Sequence, residues 1–316
     1  MNIHYDIENL PAFKNAVITI GTFDGVHEGH KKVIAQLVKE AKKVGGESVI
    51  ITFHPHPRKI VSSSILGIRL LNTLNERIEL LSKSGVDHLI VAPFTDAFAN
   101  QAAEDYIREF LVTKFHPHTI IIGYDHRFGR DRKGDYKMLE AFSETYNYKI
   151  EEIPKHILDD ISISSTKIRE AIIRGDIKSA NTLLGYDFFF EGVVMHGDKL
   201  GRQLGYPTAN IKITDDEKIA PGDGIYTVQC AVKNSDGSYG KIHGGMMSVG
   251  FRPTVDGKKR VIEVNIFDFD KEIYGATTRV FIKAFLRLEE KFNNLEALVK
   301  KIDEDKVNSL KILSGQ

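Results

Sequence analysis

Between residue 16 and about residue 185, short apolar runs alternate with amphipathic segments. VITIG (17–21), SVIITF (48–53), HLIVAPF (88–94) and TIIIG (119–123) read as strands, with a further strand expected near 148–153. Val33, Ile34, Leu37, Val38, Ala41 and Val44 fall on one face of a helix, Ile107, Phe110 and Leu111 mark another, and a third is expected near 135–146. Thr73 with Glu76 three residues on reads as a capping box, and Gly85 closes that helix. Strands so uniformly apolar are expected where helices cover both faces of a parallel sheet. The pattern predicts a doubly wound, Rossmann-like α/β domain, whose ligands bind beyond the carboxyl ends of the strands where the strand order reverses. Two short helices, from Ser165 to Arg174 and from Asp176 to Gly185, end this half.

After Gly185 the pattern changes. FFFEGVVM, GIYTVQCAV, KIHGGMMSV, RVIEVNIFDF and TRVFIKAFL are β-rich and separated by turn signals, including Asp236-Gly237 and Asp256-Gly257. Such spacing predicts a small antiparallel β-barrel. A terminal helix comes last, with Asn293 as cap, Glu296 at its third position, and Leu295, Leu298, Val299 and Ile302 along one face. The domain boundary is expected at 185–187, giving domains 1–185 and 186–316.

Composition narrows the function classes. A length of 316 residues suits two domains. Lys+Arg and Asp+Glu both number 43, so the chain has no overall basic field for nucleic acid or an anionic membrane. No apolar run reaches the ~18 residues of a membrane span, and MNIHYDIENL lacks a basic segment leading into an apolar one. The cytoplasm is the expected location. Cys230, the single cysteine, sits in an apolar stretch and is expected to be a buried structural thiol.

The first candidate chemistry is GTFDGVHEGH (21–30), between the first strand and the first helix. A phosphate there meets backbone N–H groups and the positive end of a helix dipole. Gly21, Gly25 and Gly29 permit sharp turns or close approach. His27 and His30, three apart, share a helix face and suit hydrogen bonding to phosphate oxygens as charge develops. The string is not HExxH, and on spacing alone a plain helix cap with surface histidines remains open. The two HPH turns invite a metal reading: His116 and His118 read as a solvated turn, whereas His54 and His56 come directly after the second strand and can line the site. The basic run Arg127, Arg130, Arg132 and Lys133 reads either as a solvated loop or as a flap over phosphates.

GTFDGVHEGH resembles the HxGH signature of nucleotidyltransferases, in the form found in bacterial bifunctional riboflavin kinase/FAD synthetases. TFHPHP (52–57), GYDHRFGRDRKG (123–134) and ISSTKIR (163–169) resemble three further elements of that family in order, with His126 where Phe is common and Lys167 where Arg is common. The resemblance implies a nucleotidyltransferase-like domain carrying out adenylyl transfer from ATP to FMN, with pyrophosphate leaving. It implies that His27 and His30 hold the triphosphate, that Gly21, Thr22, Phe23, Asp24 and His54 line the nucleotide site, and that Ser164, Ser165, Thr166 and Arg169 bind the β- and γ-phosphates. Asp125 would sit near the flavin phosphate or the metal. The serines and threonine also suit an ordinary helix cap, which uses the same N–H groups.

No Walker A pattern occurs. GRQLGYPTAN (201–210) resembles the riboflavin kinase signature, which implies a glycine-rich cover over the nucleotide formed by Gly201, Arg202, Gly205 and Pro207. Thr208 and Asn210 would then bind Mg²⁺ and phosphate, and hard oxygen ligands suit that ion. SVGFRPTVDG (248–257) and VIEVNIFDFDKEIYG (261–275) resemble two further elements, with Ser248 where Asn is usual and Asn265 where His is usual. Glu263 takes the position of the family's general base, which would accept the riboflavin 5′-hydroxyl proton. From alternation alone Glu263 can equally be an outward, solvated charge. The resemblance spans the chain and implies riboflavin, FMN, FAD, ATP and ADP, and pyrophosphate as ligands, with Mg²⁺, and neither nucleic acid nor membrane as partner. Transfer to another phosphorylated acceptor, or a flavin-binding regulator without catalysis, are the alternatives.

Overall fold

The computed structural model describes residues 1–61, 69–153, 163–197, 200–254 and 257–315. The chain divides into two compact units, Met1–Ser165 and Thr166–Gln316.

The first unit is built on six parallel strands: β1 (Asn2–His4), β2 (Val17–Ile20), β3 (Ser48–His54), β4 (His88–Pro93), β5 (Thr119–Gly123) and β6 (Lys149–Ile153). Their order is β1-β4-β3-β2-β5-β6. From β2 the chain winds outward through β3 and β4 on one side, then crosses to β5 and β6 on the other. The order therefore reverses between β2 and β5, and the loops leaving their carboxyl ends flank the crevice where such sheets bind ligands. The apolar strands are covered on both faces. Val17, Ile50 and Leu89 pack with Ile34, Leu37 and Ala41 of helix α1 (Glu28–Lys43). Ile18, Ile51 and Ile90 pack with Phe110 and Leu111. Complete burial of Leu37 contributes about 1.5–3 kcal/mol.

Helix α2 (Leu74–Ser82) carries both halves of the expected capping box, Thr73 and Glu76, and ends ahead of Gly85, whose φ is +76°. Helix α3 (Tyr136–Ser143) is shorter than its periodicity suggests and is capped by Asp135. Two features differ from expectation. Strand β1 is a three-residue edge, too short to give an apolar run. The segment around Phe110 is a π-helix, Tyr106–Val112, whose wide turn buries the same apolar residues that an α-helix would.

The second unit begins with α4 (Ser165–Arg174, its first residue being the last of the first unit) and α5 (Ile177–Leu184). The sequence pattern sets the boundary at 185–187, whereas in the structure these two helices belong to the second unit. A closed antiparallel barrel comes next, formed by β7 (Phe189–Met195), β8 (Ala209–Ile213), β9 (Gly224–Val232), β10 (His243–Thr254), β11 (Gly257–Ile266) and β12 (Thr277–Arg287) in the order β10-β11-β8-β7-β12-β9. Closure leaves no open sheet edge. The terminal helix α6 (Leu295–Ser314) is capped by Asn294, not Asn293 as the sequence suggested: Asn294 has the extended backbone, and its side chain accepts the Ala297 amide at 2.8 Å. The buried Asp305 fixes α6 through Arg287 at 2.7 Å, and Ser309 meets Thr227 at 3.0 Å. Cys230 is buried inside β9, and burial pushes its thiol up to about 12, so it is inert at neutral pH.

The capping box gives a direct check. Thr73→Ala is expected to lower the stability of the first unit by about 1 kcal/mol, read from its urea midpoint. An unchanged midpoint would show that the cap contributes nothing.

Candidate active sites

The loop from β2 to α1 holds an unfavourable backbone. Phe23 (φ 49°), Gly25 (φ 92°) and Val26 (φ 37°) all lie in the left-handed region. For β-branched Val26 this costs on the order of 1–3 kcal/mol. Buried bonds hold it there. The Asp24 carboxylate accepts the Leu71 amide at 2.9 Å and the Asn72 amide at 3.1 Å. The Asp24 carbonyl accepts the Ser165 hydroxyl at 2.9 Å, which ties Ser165 to this loop. The Thr22 carbonyl accepts the Thr52 hydroxyl at 3.2 Å and the guanidinium of Arg77. A Cβ on Gly29 would lie 3.2 Å from the His27 ring, so the ring packs closely over the helix start.

His27 is the N-cap of α1, its Nδ1 accepting the His30 amide at 3.3 Å. The two imidazoles stack at 3.6 Å and 13°, with the Phe23 ring 5.1 Å from His30. Nδ1 of His30 is buried and takes no hydrogen bond among the described residues. Burial, then His27, then Arg77 push the His30 imidazole well below its ordinary value, so it is neutral at pH 7. A neutral imidazole at a helix N-terminus, with its ring proton on the unused nitrogen, can donate one hydrogen bond to an anion that enters.

The other predicted residues of this unit lie at known stations. His54 is exposed at the end of β3, and Asp125 is exposed on the loop leaving β5. His126 is pushed down to about 4 by burial, against the pull of Asp125. The 128–134 loop closes on itself through backbone bonds between Phe128 and Gly134. Within the basic run, Arg127 pairs with Asp135 at 2.6 Å, while Arg130, Arg132 and Lys133 are exposed. His56 is buried and accepts the Arg58 amide at 3.2 Å, and His118 bonds Thr119 at 2.8 Å. Among the described residues no three His, Cys, Asp or Glu side chains converge as a metal site. Ser164 directly precedes Ser165, and Thr166 and Arg169 lie in α4. Arg77 was missed by sequence reasoning. Its signal was an arginine on the same helical stripe as Leu74 and Leu81.

In the barrel, register brings together residues distant in sequence. Ser248 on β10 faces Glu263 on β11, and Glu263 faces Asn210 on β8. Directly opposed residues share a sheet face, so the three form one row. Glu263 is not an isolated solvated charge: Arg252 bonds it at 3.0 and 3.2 Å. Thr208 occupies a neighbouring station. With Arg202, Pro207, Val264 and Tyr274 it lines a cleft that takes in Ala209 and Val264, which alternate with Asn210 and Glu263. The glycine-rich segment folds tightly. The Tyr206 amide bonds the Gly201 carbonyl at 2.8 Å, Gly205 has φ +80°, and a Cβ on Gly201 would lie 2.3 Å from the Tyr206 carbonyl. The Tyr206 hydroxyl bonds Asp303 of α6. Asn265 donates to the Pro207 carbonyl at 2.7 Å, so this departure from the family pattern anchors the PTAN segment. A Cβ on Gly197 would strike the Asn210 amide at 2.1 Å, so a glycine cradles that side chain.

A parallel-sheet unit with a phosphate-type loop at its switch point and a barrel with an acid–amide row define a two-site phosphate-transferring enzyme. Residues 10–167 match a family model described as FAD synthetase, and residues 184–313 match one described as riboflavin kinase. A bifunctional riboflavin kinase/FMN adenylyltransferase of Listeria monocytogenes is 36% identical over 92% of this chain and 90% of its own length. The protein of that name from Escherichia coli K12 is 31% identical over 94% and 92%. A crystal structure described as a macrolide-efflux protein of Streptococcus pneumoniae matches with a TM-score of 0.85, at 29% identity and 97% coverage of each chain. What it contributes is the fold; among the described residues no helix is long and apolar enough to cross a membrane. The chain belongs to the bifunctional riboflavin kinase/FMN adenylyltransferase family. Enzymes of that family use ATP, typically with a divalent metal.

Arg77 acts on His30 from within the fold. Arg77→Met is expected to raise the His30 pKa, while burial still holds it below 6.5, as read by NMR titration of the imidazole. An unmoved titration would place Arg77 electrostatically apart from the site.

Proposed function

We propose that the barrel unit phosphorylates riboflavin to FMN and that the parallel-sheet unit adenylylates FMN to FAD, each consuming one ATP. The observation that carries this reading is the position of the two motif loops. GTFDGVHEGH leaves β2 at the switch in strand order, with the buried, unused Nδ1 of His30 at a helix start, and Glu263 shares a sheet row with Asn210.

In the adenylyl step an FMN phosphate oxygen attacks the α-phosphorus of ATP and pyrophosphate leaves. No covalent nucleophile is required, so the unit's task is to position two polyanions and to balance growing negative charge. The α1 N-terminus and His30 meet the triphosphate, with His27 shaping the first turn. Gly21, Thr22 and Phe23 form the backbone cradle, and Asp24 contributes by holding it. Ser164, Ser165, Thr166 and Arg169 take the outer phosphates, and His54 and Asp125 border the nucleotide and flavin ends.

In the kinase step the riboflavin 5′-oxygen attacks the γ-phosphorus of ATP, Glu263 accepts its proton, and ADP leaves as the γ-phosphorus parts from its bridging oxygen. The Thr208 hydroxyl, near Gly201, and the Asn210 side-chain carbonyl, near Gly197, are hard oxygen donors of the kind that suits Mg²⁺. Bound there, Mg²⁺ would neutralise phosphate charge. Gly201, Arg202, Gly205 and Pro207 cover the nucleotide. Mg²⁺ as the ion, pyrophosphate as the leaving group and a cytoplasmic setting are parts of this proposal.

Two variants test the division of labour. Glu263→Ala is expected to cut FMN formation by roughly 10²–10⁴-fold, the usual worth of general-base catalysis, and to leave FMN-to-FAD conversion intact. His30→Ala is expected to do the reverse, with products resolved chromatographically. Loss of both activities in either folded variant contradicts two separate sites.

A further inference from the structure

Arg252 makes two bonds to Glu263, from Nε at 3.2 Å and from Nη2 at 3.0 Å, and both end on Oε2. Oε1 takes no hydrogen bond among the described residues. We propose that Arg252 is the positioning residue for the kinase base: it holds one oxygen of Glu263 so that the other is presented to the riboflavin 5′-hydroxyl, and Glu289 holds Arg252 in turn. This rests on the reading of Glu263 as the base.

The arrangement is built from both strands. Ser248 faces Glu263 in register, and Arg252 lies four residues further along β10, on the same face because side chains alternate with a period of two. From there its side chain reaches back to Glu263. Glu289 lies just beyond β12. Its Oε1 accepts from Arg252 Nη1 at 2.9 Å and from the Ser248 hydroxyl at 3.0 Å, while Ser248 also accepts from Arg252 Nη2 at 3.2 Å. The site makes room for this: a Cβ on Gly250 would lie 2.0 Å from the Glu289 carboxylate.

Physically, a glutamate's last torsion is broad and roughly two-fold, so an untethered carboxylate presents either oxygen over a wide range of angles. A planar guanidinium fork on a single oxygen removes that freedom; a lysine ammonium supplies the charge without the fork. Ser248, which stands where the family usually has Asn, is absorbed into this clamp.

The test uses the full chain, with steady-state FMN formation and riboflavin binding followed by flavin fluorescence. Arg252→Met is expected to lower kcat by roughly tenfold or more, with KM for riboflavin and ATP and the riboflavin Kd held within about twofold, since misorientation of a bound, reacting group costs turnover and not binding. Arg252→Lys is expected to recover part of that loss, and Glu289→Gln to lower kcat in the same direction by less. FMN-to-FAD conversion is expected to stay at the level of the parent protein in all three. Unchanged kcat in Arg252→Met, or a loss confined to KM and Kd, overturns the proposal. Full recovery by Arg252→Lys overturns the role of the fork. Glu263→Gln, measured alongside, separates the two claims: if it keeps full kcat, the base assignment itself fails, whatever Arg252 does.

Discussion

The glycine-rich loop between β2 and α1 keeps a strained shape, and the buried carboxylate of Asp24 holds it there. Its bonds to the Leu71 and Asn72 amides fix a turn in which Phe23, Gly25 and Val26 all have positive φ. Hydrogen bonds to a charged group of this kind contribute roughly 1.5–3 kcal/mol each. The fixed loop in turn organises its neighbours. Thr22 is tied to Arg77 and Thr52, Ser165 docks on the Asp24 carbonyl, and His27 caps α1 with its ring against His30. The helix N-terminus then opens at the one place in the sheet where strand order reverses.

The barrel solves its problem differently. Strand register does the positioning, setting Ser248, Glu263 and Asn210 abreast. Polar tethers then hold the loops around that row. Asn265 bonds the Pro207 carbonyl, Tyr206 bonds Asp303, and Arg252 joins Glu263 to Glu289. Both units move phosphorus groups between oxygens. What each must provide is orientation and charge balance, and preorganised hydrogen bonds supply both.

Much of the fold was legible in the sequence because it rests on periodicity. Uniformly apolar strands forecast a sheet covered on both faces, and the change of pattern after Gly185 forecast the barrel. Features outside that signal were not legible. Strand β1 has three residues, the π-helix buries the same side chains as an α-helix, and adjacent Asn293 and Asn294 offer the same capping atom. The sites divide in the same way. Loop motifs are contiguous and could be read, although the word flavin came from resemblance and not from spacing. The partners of Arg77 and Arg252 could not be read, because tertiary structure sets them: Thr22 lies 55 residues from Arg77, and Glu289 lies 37 from Arg252.

Two successive transfers to a flavin, both carried by one chain, are most directly tested by a time course. The purified protein is incubated with riboflavin, ATP and Mg²⁺, and the flavins and nucleotides are resolved. FMN is expected to appear first and FAD to rise at its expense, with two ATP consumed for each FAD formed. Riboflavin left unchanged, or FMN that accumulates and is never converted, would contradict two transfers on one chain.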